Sequence, residues 1–320
     1  MSFPTETVYG LGANALVAEA CQKIFTSKGR PLTDPLIVHV HSLEQGLSLI
    51  DQSEPEIVSL FSTLAGKYWP GPLTMVVKAN LELIPLMITA QTGYVGIRLP
   101  NHEIACELLR TAGVPVAAPS ANKFGHVSPS RAQHVYNDFH KDTDVLIIDG
   151  GECSFGIEST VLKMEIESGE RPEDPKRYKL LIIRKGGVSL ENFNQRLAEC
   201  GLADRTTISQ LQRKHAKPET ENLEAPGQFL RHYSPDIVSY LYQGGACQSA
   251  EMDIGKAIVL DFGQIHAEFA SQAKHYMDLS AEADFLQAIH NVYDALRWAE
   301  TNTDAEYVLI TDIVHYRDRF

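Results

Sequence analysis

The feature that most limits what this chain can become is a succession of short apolar runs, each closing on a polar or basic residue. Residues 36–40, 95–99, 114–118, 159–164 and 179–184, together with 73–78, are rich in Val, Ile, Leu and Met and are bounded by Gly, Pro or charged side chains. That is the pattern of buried β-strands. Residues 145–148 read the same way. Between the runs, Val17, Cys21, Ile24 and Phe25, and later Ile57, Leu60, Phe61, Leu64 and Tyr68, recur at three- and four-residue spacing, as one face of a helix does. Helices alternating with strands make this an α/β chain.

Local signals place the element ends. Residues 2–8 read as a strand running into a tight turn at Tyr9-Gly10-Leu11-Gly12. The first helix closes before Gly29, and Lys28 and Arg30 leave it on a loop carrying Pro31 and Pro35. Ser53 with Glu56 has the form of a capping box, and Ser130 with Gln133 is a competent cap. Trp69-Pro70-Gly71-Pro72 stops the second long helix, and a short helix over 103–111 ends at Gly113. The charged, proline-bearing stretch 165–178 reads as a solvated hairpin.

Length favours two domains. Periodicity fades over 206–235, which is the expected linker between a domain at 1–205 and a smaller one at 236–320. The linker is not a passive tether, because it holds Phe229-Leu230-Arg231-His232-Tyr233. Beyond it, strands at 237–242, 256–261 and 307–313 and a helix face at Phe285, Ile289, Val292, Tyr293 and Leu296 predict an α/β unit with a mostly parallel sheet.

A net charge of −13, spread over both halves, gives no basic stripe for nucleic acid or a membrane surface. Cys21, Cys106, Cys153, Cys200 and Cys247 stand singly, with neither zinc-site nor disulfide spacing. A reduced, cytoplasmic setting fits, and no apolar run is long enough for a membrane span.

Thr7, Arg98, Ser120, Asn122 and Arg184 fall at the ends of expected strands, where an open α/β sheet places ligands. Hydroxyls, an amide and guanidinium forks bind phosphate and carboxylate. In their sequence context, residues 4–15, 28–39, 68–73, 96–100, 118–122, 128–131, 158–161 and 184–187 resemble the motif set of the YrdC-like threonylcarbamoyl-AMP synthases. Lys28-Gly29-Arg30 and Ser120-Ala121-Asn122 are its ordered KxR and SxN elements. Arg231-His232-Tyr233-Ser234-Pro235, followed by a second α/β domain, is similar to the longer form of that family.

The resemblance implies a YrdC-like twisted mixed-sheet domain with an open catalytic cavity, plus a smaller Rossmann-like domain. It implies condensation of L-threonine, bicarbonate and ATP into threonylcarbamoyl-AMP with release of pyrophosphate, and a downstream tRNA threonylcarbamoyl transferase. On it, Lys28 and Arg30 neutralise the triphosphate, while Arg30, Asp34, Asn122, Ser130, Arg184 and Tyr233 meet ATP. Thr7, His39, Arg98, Ser120 and Ser159 meet threonine. Asp34 stands where the family often has Asn or His. His39 reads equally as a core histidine, and Tyr233 as either a lid or an aromatic anchor for the linker. Magnesium rides on the ATP phosphates without a dedicated protein site.

Family members usually carry a helix and a strand before the 4–15 segment, so this short start is expected to lower stability or activity. The rivals are a serine hydrolase using Ser120 and His126, a carbamoyl-adenylate enzyme of hydrogenase maturation, and an RNA-binding module with a weak RNA contact in a locally positive cavity.

Overall fold

The structure is a computed structural model that describes residues 1–167, 176–211, 222–226, 233–243 and 252–313. Arg231, His232, Cys247, most of the expected linker and the tip of the 165–178 hairpin lie outside the described residues.

β1 (Ser2–Phe3) pairs antiparallel with β2 (Gly10–Leu11). The strand expected over 2–8 stops at its second residue. Thr5 Oγ1 accepts from the Thr7 and Val8 amides, both at 3.2 Å, and a side chain that satisfies local amides displaces the ladder. β3 (Ala13–Asn14) leads into α1 (Ala18–Lys28), which buries Cys21, Ile24 and Phe25 and closes at Gly29, whose φ of 65° glycine adopts without steric cost.

β4 (Ile37–His39), α2 (Leu43–Ser48) and α3 (Pro55–Tyr68) follow. The capping box at Ser53 and Glu56 does not form. Ser53 Oγ donates to Asp51 Oδ2 at 2.8 Å instead, and α3 starts one turn position later on Pro55, which presets the first helical φ. β5 (Leu73–Lys78), β6 (Tyr94–Arg98), α4 (Glu103–Ala112), β7 (Val116–Ala117) and α5 (Ala132–Phe139) come next. Ser130 does not cap α5, because Arg131 holds the N-cap position and makes no side-chain cap bond. The strand expected at 145–148 reduces to one bridge between Ile147 and Ser2.

β8 (Thr160–Glu167) and β9 (Arg177–Arg184) form an antiparallel pair, followed by α6 (Leu190–Glu199). β10 (Thr206–Gln210) then pairs parallel with β9, so a stretch assigned to the linker from its polar residues is an edge strand. The resulting sheet has eight strands in the order β10-β9-β8-β5-β6-β4-β7-β3 and mixes both pairings.

Alternation along β5 sets its two faces. Leu73, Met75 and Val77 join the main core with Ile57, Leu60, Phe61 and Leu64 of α3, whereas Val76 packs with Val161 and Ala225 on the other side. Burying both faces explains why these strands read as nearly continuous apolar runs.

The C-terminal unit holds β11 (Ser239–Tyr242), β12 (Ala257–Asp261), β13 (His275–Asp278), α7 (Phe285–Thr301) and β14 (Tyr307–Thr311). Its sheet is parallel, in the order β11-β14-β12-β13. α7 packs Ala288, Tyr293, Leu296 and Ala299 against Ile258, Leu260 and Val308, and the same cluster takes in Val8 and Val127 from the large domain. The helix is therefore shared between the domains. Cys21, Cys106, Cys153 and Cys200 are free thiols, and no helix among the described residues is long and apolar enough to cross a membrane.

Candidate active site

Register across the large sheet brings polar residues into line. His39 pairs with Arg98, the Met75 and Ile97 pair sets Thr74 beside Arg98, Thr74 pairs with Val161, and Val161 pairs with Arg184. Residues side by side in register project to one face. That face floors a cleft enclosing about 490 Å³ of free space, part of it open to solvent. Gly96 lies close against β5, since a Cβ there would meet Thr74 Cγ2 at 3.0 Å.

Of the residues singled out from the sequence, the structure brings Thr7, Arg30, His39, Arg98, Ser120, Ser159, Arg184 and Tyr233 together around this cleft. Lys28, Asp34, Asn122 and Ser130 are buried but are not among its lining residues. Lys28 Nζ donates to the Ser120 carbonyl at 2.6 Å and to the Asn122 carbonyl, so it clasps the Ser120-Ala121-Asn122 loop from the rear. Burial, with the Arg30 charge nearby, pulls its ammonium well below the usual lysine value. Asn122 Nδ2 donates to the carbonyls of Lys123 and His126, and Ser130 receives its neighbour through its own amide, which donates to His134 Nδ1 at 3.3 Å.

The three cleft arginines are held differently. Arg30 donates to the Asp34 and Pro35 carbonyls and pairs with Asp34 Oδ1 at 2.9 Å. Burial raises the Asp34 carboxyl to about 6 against the opposing pull of Arg30. Arg98 pairs with Glu6 Oε1 at 2.7 Å and donates from Nε to the Gly71 carbonyl. Arg184 forms no ion pair with a carboxylate among the described residues. Its Nε and Nη2 grip Ser159 O and Oγ, and its Nη1 donates to the Tyr233 hydroxyl at 3.2 Å. Burial disfavours its charge, but the Tyr233 hydroxyl and the nearby Glu158 charge favour its protonated form and raise it above the usual arginine value.

His39 Nδ1 is buried without a hydrogen-bond partner, and burial beside Arg98 drives the imidazole down to about 3. The ring is therefore neutral near pH 7. His126 is turned to Asp138 and Glu300, away from any pairing with Ser120, so the serine-hydrolase reading has no base.

Sequence reasoning missed Glu158, Tyr9 and Pro226, which also line the cleft. Glu158 stands in the quoted 158–161 motif, but a search for cations and hydroxyls passed over a carboxylate. Its oxygens accept from Ser128 Oγ and from the hydroxyl of Tyr293, which lies in the other domain.

The family model described as Telomere recombination, spanning Sua5, yciO and yrdC proteins, matches residues 1–186. The chain belongs to the Sua5/YrdC family. A second model, the threonylcarbamoyl-AMP synthase C-terminal domain, matches residues 189–317. Among curated members, threonylcarbamoyl-AMP synthase of Pyrococcus abyssi is 38% identical over 76% of this chain and 64% of its own length. The enzyme of that name from Bacillus subtilis is 36% identical over 76% of this chain and 63% of its own. The Schizosaccharomyces pombe one is 37% identical over 76% and 60%. The chain thus spans between 60% and 64% of these Sua5/YrdC relatives. The crystal structure of P. abyssi Sua5 complexed with L-threonine superposes with a TM-score of 0.72 at 32% identity, covering 97% of this chain and 84% of that one. The mixed-sheet domain joined to a Rossmann-like one is accordingly a Sua5 architecture.

Proposed function

We propose that the cleft condenses L-threonine, bicarbonate and ATP into threonylcarbamoyl-AMP, releasing pyrophosphate, for transfer onto tRNA by a downstream transferase. The observation that carries this reading is that His39, Arg98 and Arg184, from three strands of one sheet, line a single cavity with Arg30 and Ser120. Membership of the Sua5/YrdC family and likeness to a Sua5 crystallised with L-threonine support it.

The chemistry needs charge neutralisation more than a nucleophilic side chain. Threonine's amine joins bicarbonate with loss of water, and an oxygen of the resulting carbamate attacks the α-phosphorus of ATP. A new P–O bond forms as the bond to the departing pyrophosphate breaks. Two anions must approach, so fixed donors at the developing charge lower the barrier. Arg184 and Arg30 serve the phosphates, with Tyr233 over them. Arg98, Thr7, Ser159, Ser120 and neutral His39 serve threonine's carboxylate, hydroxyl and carbamate. Lys28, Asp34, Asn122 and Ser130 act one layer back, holding the Ser120 loop and Arg30 in place.

Magnesium would come with the nucleotide. Both oxygens of Glu158 are already engaged by Ser128 and Tyr293, so the ion would be held through phosphate oxygens and water.

Pyrophosphate release, measured with threonine, bicarbonate or ATP left out in turn, tests the proposal. Release should require all three. Release with ATP alone, unchanged by the other two, would sink it.

A further inference from the structure

Helix α7 turns one polar stripe toward the cleft domain. His290 pairs with Glu152 at 3.3 Å, Asp294 with Arg131 at 3.1 Å, and Arg297 with Asp138 at 3.0 Å. Tyr293 is the member of this stripe that reaches the cleft lining itself. Residues 290, 293, 294 and 297 follow helical spacing, so a single face of one helix makes all four contacts.

Tyr293 touches the site twice. Its hydroxyl donates to Glu158 Oε2 at 2.5 Å, and its ring stacks on Tyr233 with centroids 5.9 Å apart and planes at 28°. Tyr233 in turn accepts from Arg184, which holds Ser159. Tyr233 also has a φ of 58°, a conformation bulky residues adopt only when their surroundings impose it. The Ser234 amide beside it donates to the Gly125 carbonyl at 3.1 Å. Burial, together with the Glu158 charge, raises the Tyr293 phenol well above its usual value, so it stays a donor.

We infer that Tyr293 is a positioning residue of the catalytic cleft: the C-terminal domain reaches across through it, fixing the Glu158 carboxylate with the hydroxyl and holding Tyr233 over the site with the ring. The inference deepens the function proposed above and rests on it for its kinetic half. Its conformational half stands on the stack and the Ser234 bond alone.

Two variants separate the contacts. Tyr293→Phe keeps the stack and drops the bond to Glu158. Tyr293→Leu drops both. In the full chain, Tyr293→Phe should lower kcat/KM for threonine about tenfold, the effect of one hydrogen bond to a charged group. Its Ser234 amide exchange should stay within about twofold of wild type. Tyr293→Leu should speed Ser234 exchange about fivefold or more, as the loss of a stacked aromatic partner predicts. Phenylalanine would thus rescue the stack on Tyr233 but not the bond to the carboxylate. A common drop in melting temperature for both variants, with kcat/KM and Ser234 protection unchanged, would overturn the inference and leave Tyr293 a packing residue. If wild type shows no threonine-dependent pyrophosphate release, the functional reading has failed, and unchanged Ser234 exchange in Tyr293→Leu is then the result that defeats the inference. Should the leucine variant not fold, the phenylalanine variant decides: wild-type kcat/KM overturns the role of the hydroxyl.

Discussion

Arg184 is fastened to Ser159 at two points, with Nε on the backbone oxygen at 3.1 Å and Nη2 on Oγ at 3.0 Å. One guanidinium thus spans from β9 to the residue before β8. It orders the turn at 158–160 while keeping its charge on the cleft. Ser159 Oγ also bonds Thr74 Oγ1 at 2.8 Å, which extends the link to β5.

Arg184→Lys removes the fork and keeps the charge. A lysine ammonium cannot grip both Ser159 atoms and the Tyr233 hydroxyl in one plane. Turnover should fall by about two orders of magnitude, with the thermal midpoint almost unchanged. Steady-state pyrophosphate release beside a melting curve checks it. Turnover at half of wild type or more would mean that charge alone is what the site needs.

Gly186→Ala tests the packing of the turn that follows β9. A Cβ there would lie 2.3 Å from Glu158 O, 2.4 Å from Ser159 C and 2.5 Å from Thr160 N. All three are backbone atoms, so no side chain can swing away. The substitution should destabilise by ~2–3 kcal/mol through overpacking and should displace Glu158 and Ser159 together. Urea unfolding with a midpoint equal to that of wild type would show that the turn yields freely.

The strands were legible in the sequence because burial on both faces makes them apolar throughout, as 73–78 illustrates. Where one face is half-exposed the signal weakened. β10, Thr-Thr-Ile-Ser-Gln, has the polar composition of a linker, and β13, His-Tyr-Met-Asp, carries no strand signal, since its four residues are only partly buried. At the cleft, Thr7, Arg98, Ser120 and Arg184 are legible as polar residues at strand ends, whereas Ser159 and Tyr233 stand out only through the motif resemblance. Lys28, expected to leave the helix on a loop, is the last residue of α1, and sequence spacing does not say that its ammonium turns to the Ser120 carbonyl. Tyr293 was read as one apolar residue of a helix face, which its ring is. Its hydroxyl partner lies 135 residues away, and nothing local in a sequence records such a contact.

His126 gives a pH dependence with a definite sign. Its Nδ1 faces Asp138 at 3.1 Å and its Nε2 faces Glu300 at 2.8 Å, while Arg297 of α7 lies close as a like charge. Burial disfavours the imidazolium, but the hydrogen bonds to Asp138 and Glu300 outweigh it and lift the group to about 9. The folded state then holds a proton that the unfolded chain, near 6.5, has lost. The stabilisation is complete below about pH 6.5 and disappears as pH rises through about 9. It is worth at most ~3 kcal/mol. Thermal midpoints measured from pH 6 to 10 should decline in wild type and flatten over that window in His126→Gln. Parallel curves would show that the His126 contacts do not couple the two domains.

Glu6 and Arg98 supply a case where stability and ligand affinity should part. Arg98 Nη2 is 2.7 Å from Glu6 Oε1, and both side chains are buried. Removing one partner of such a pair leaves the other charge uncompensated, at ~3–5 kcal/mol for outright truncation. Glu6→Gln keeps the shape and one acceptor, so a loss of ~2–3 kcal/mol is expected. The same change withdraws a negative charge from behind a guanidinium that faces the cleft. The potential felt by an incoming carboxylate becomes more positive, and in a low-dielectric pocket that attraction is strong. The unfolding midpoint should therefore drop while KM for threonine stays level or decreases. An increase of tenfold or more in KM would show instead that Glu6 is needed to aim Arg98, and that neutralising its charge is the lesser part of what the carboxylate does.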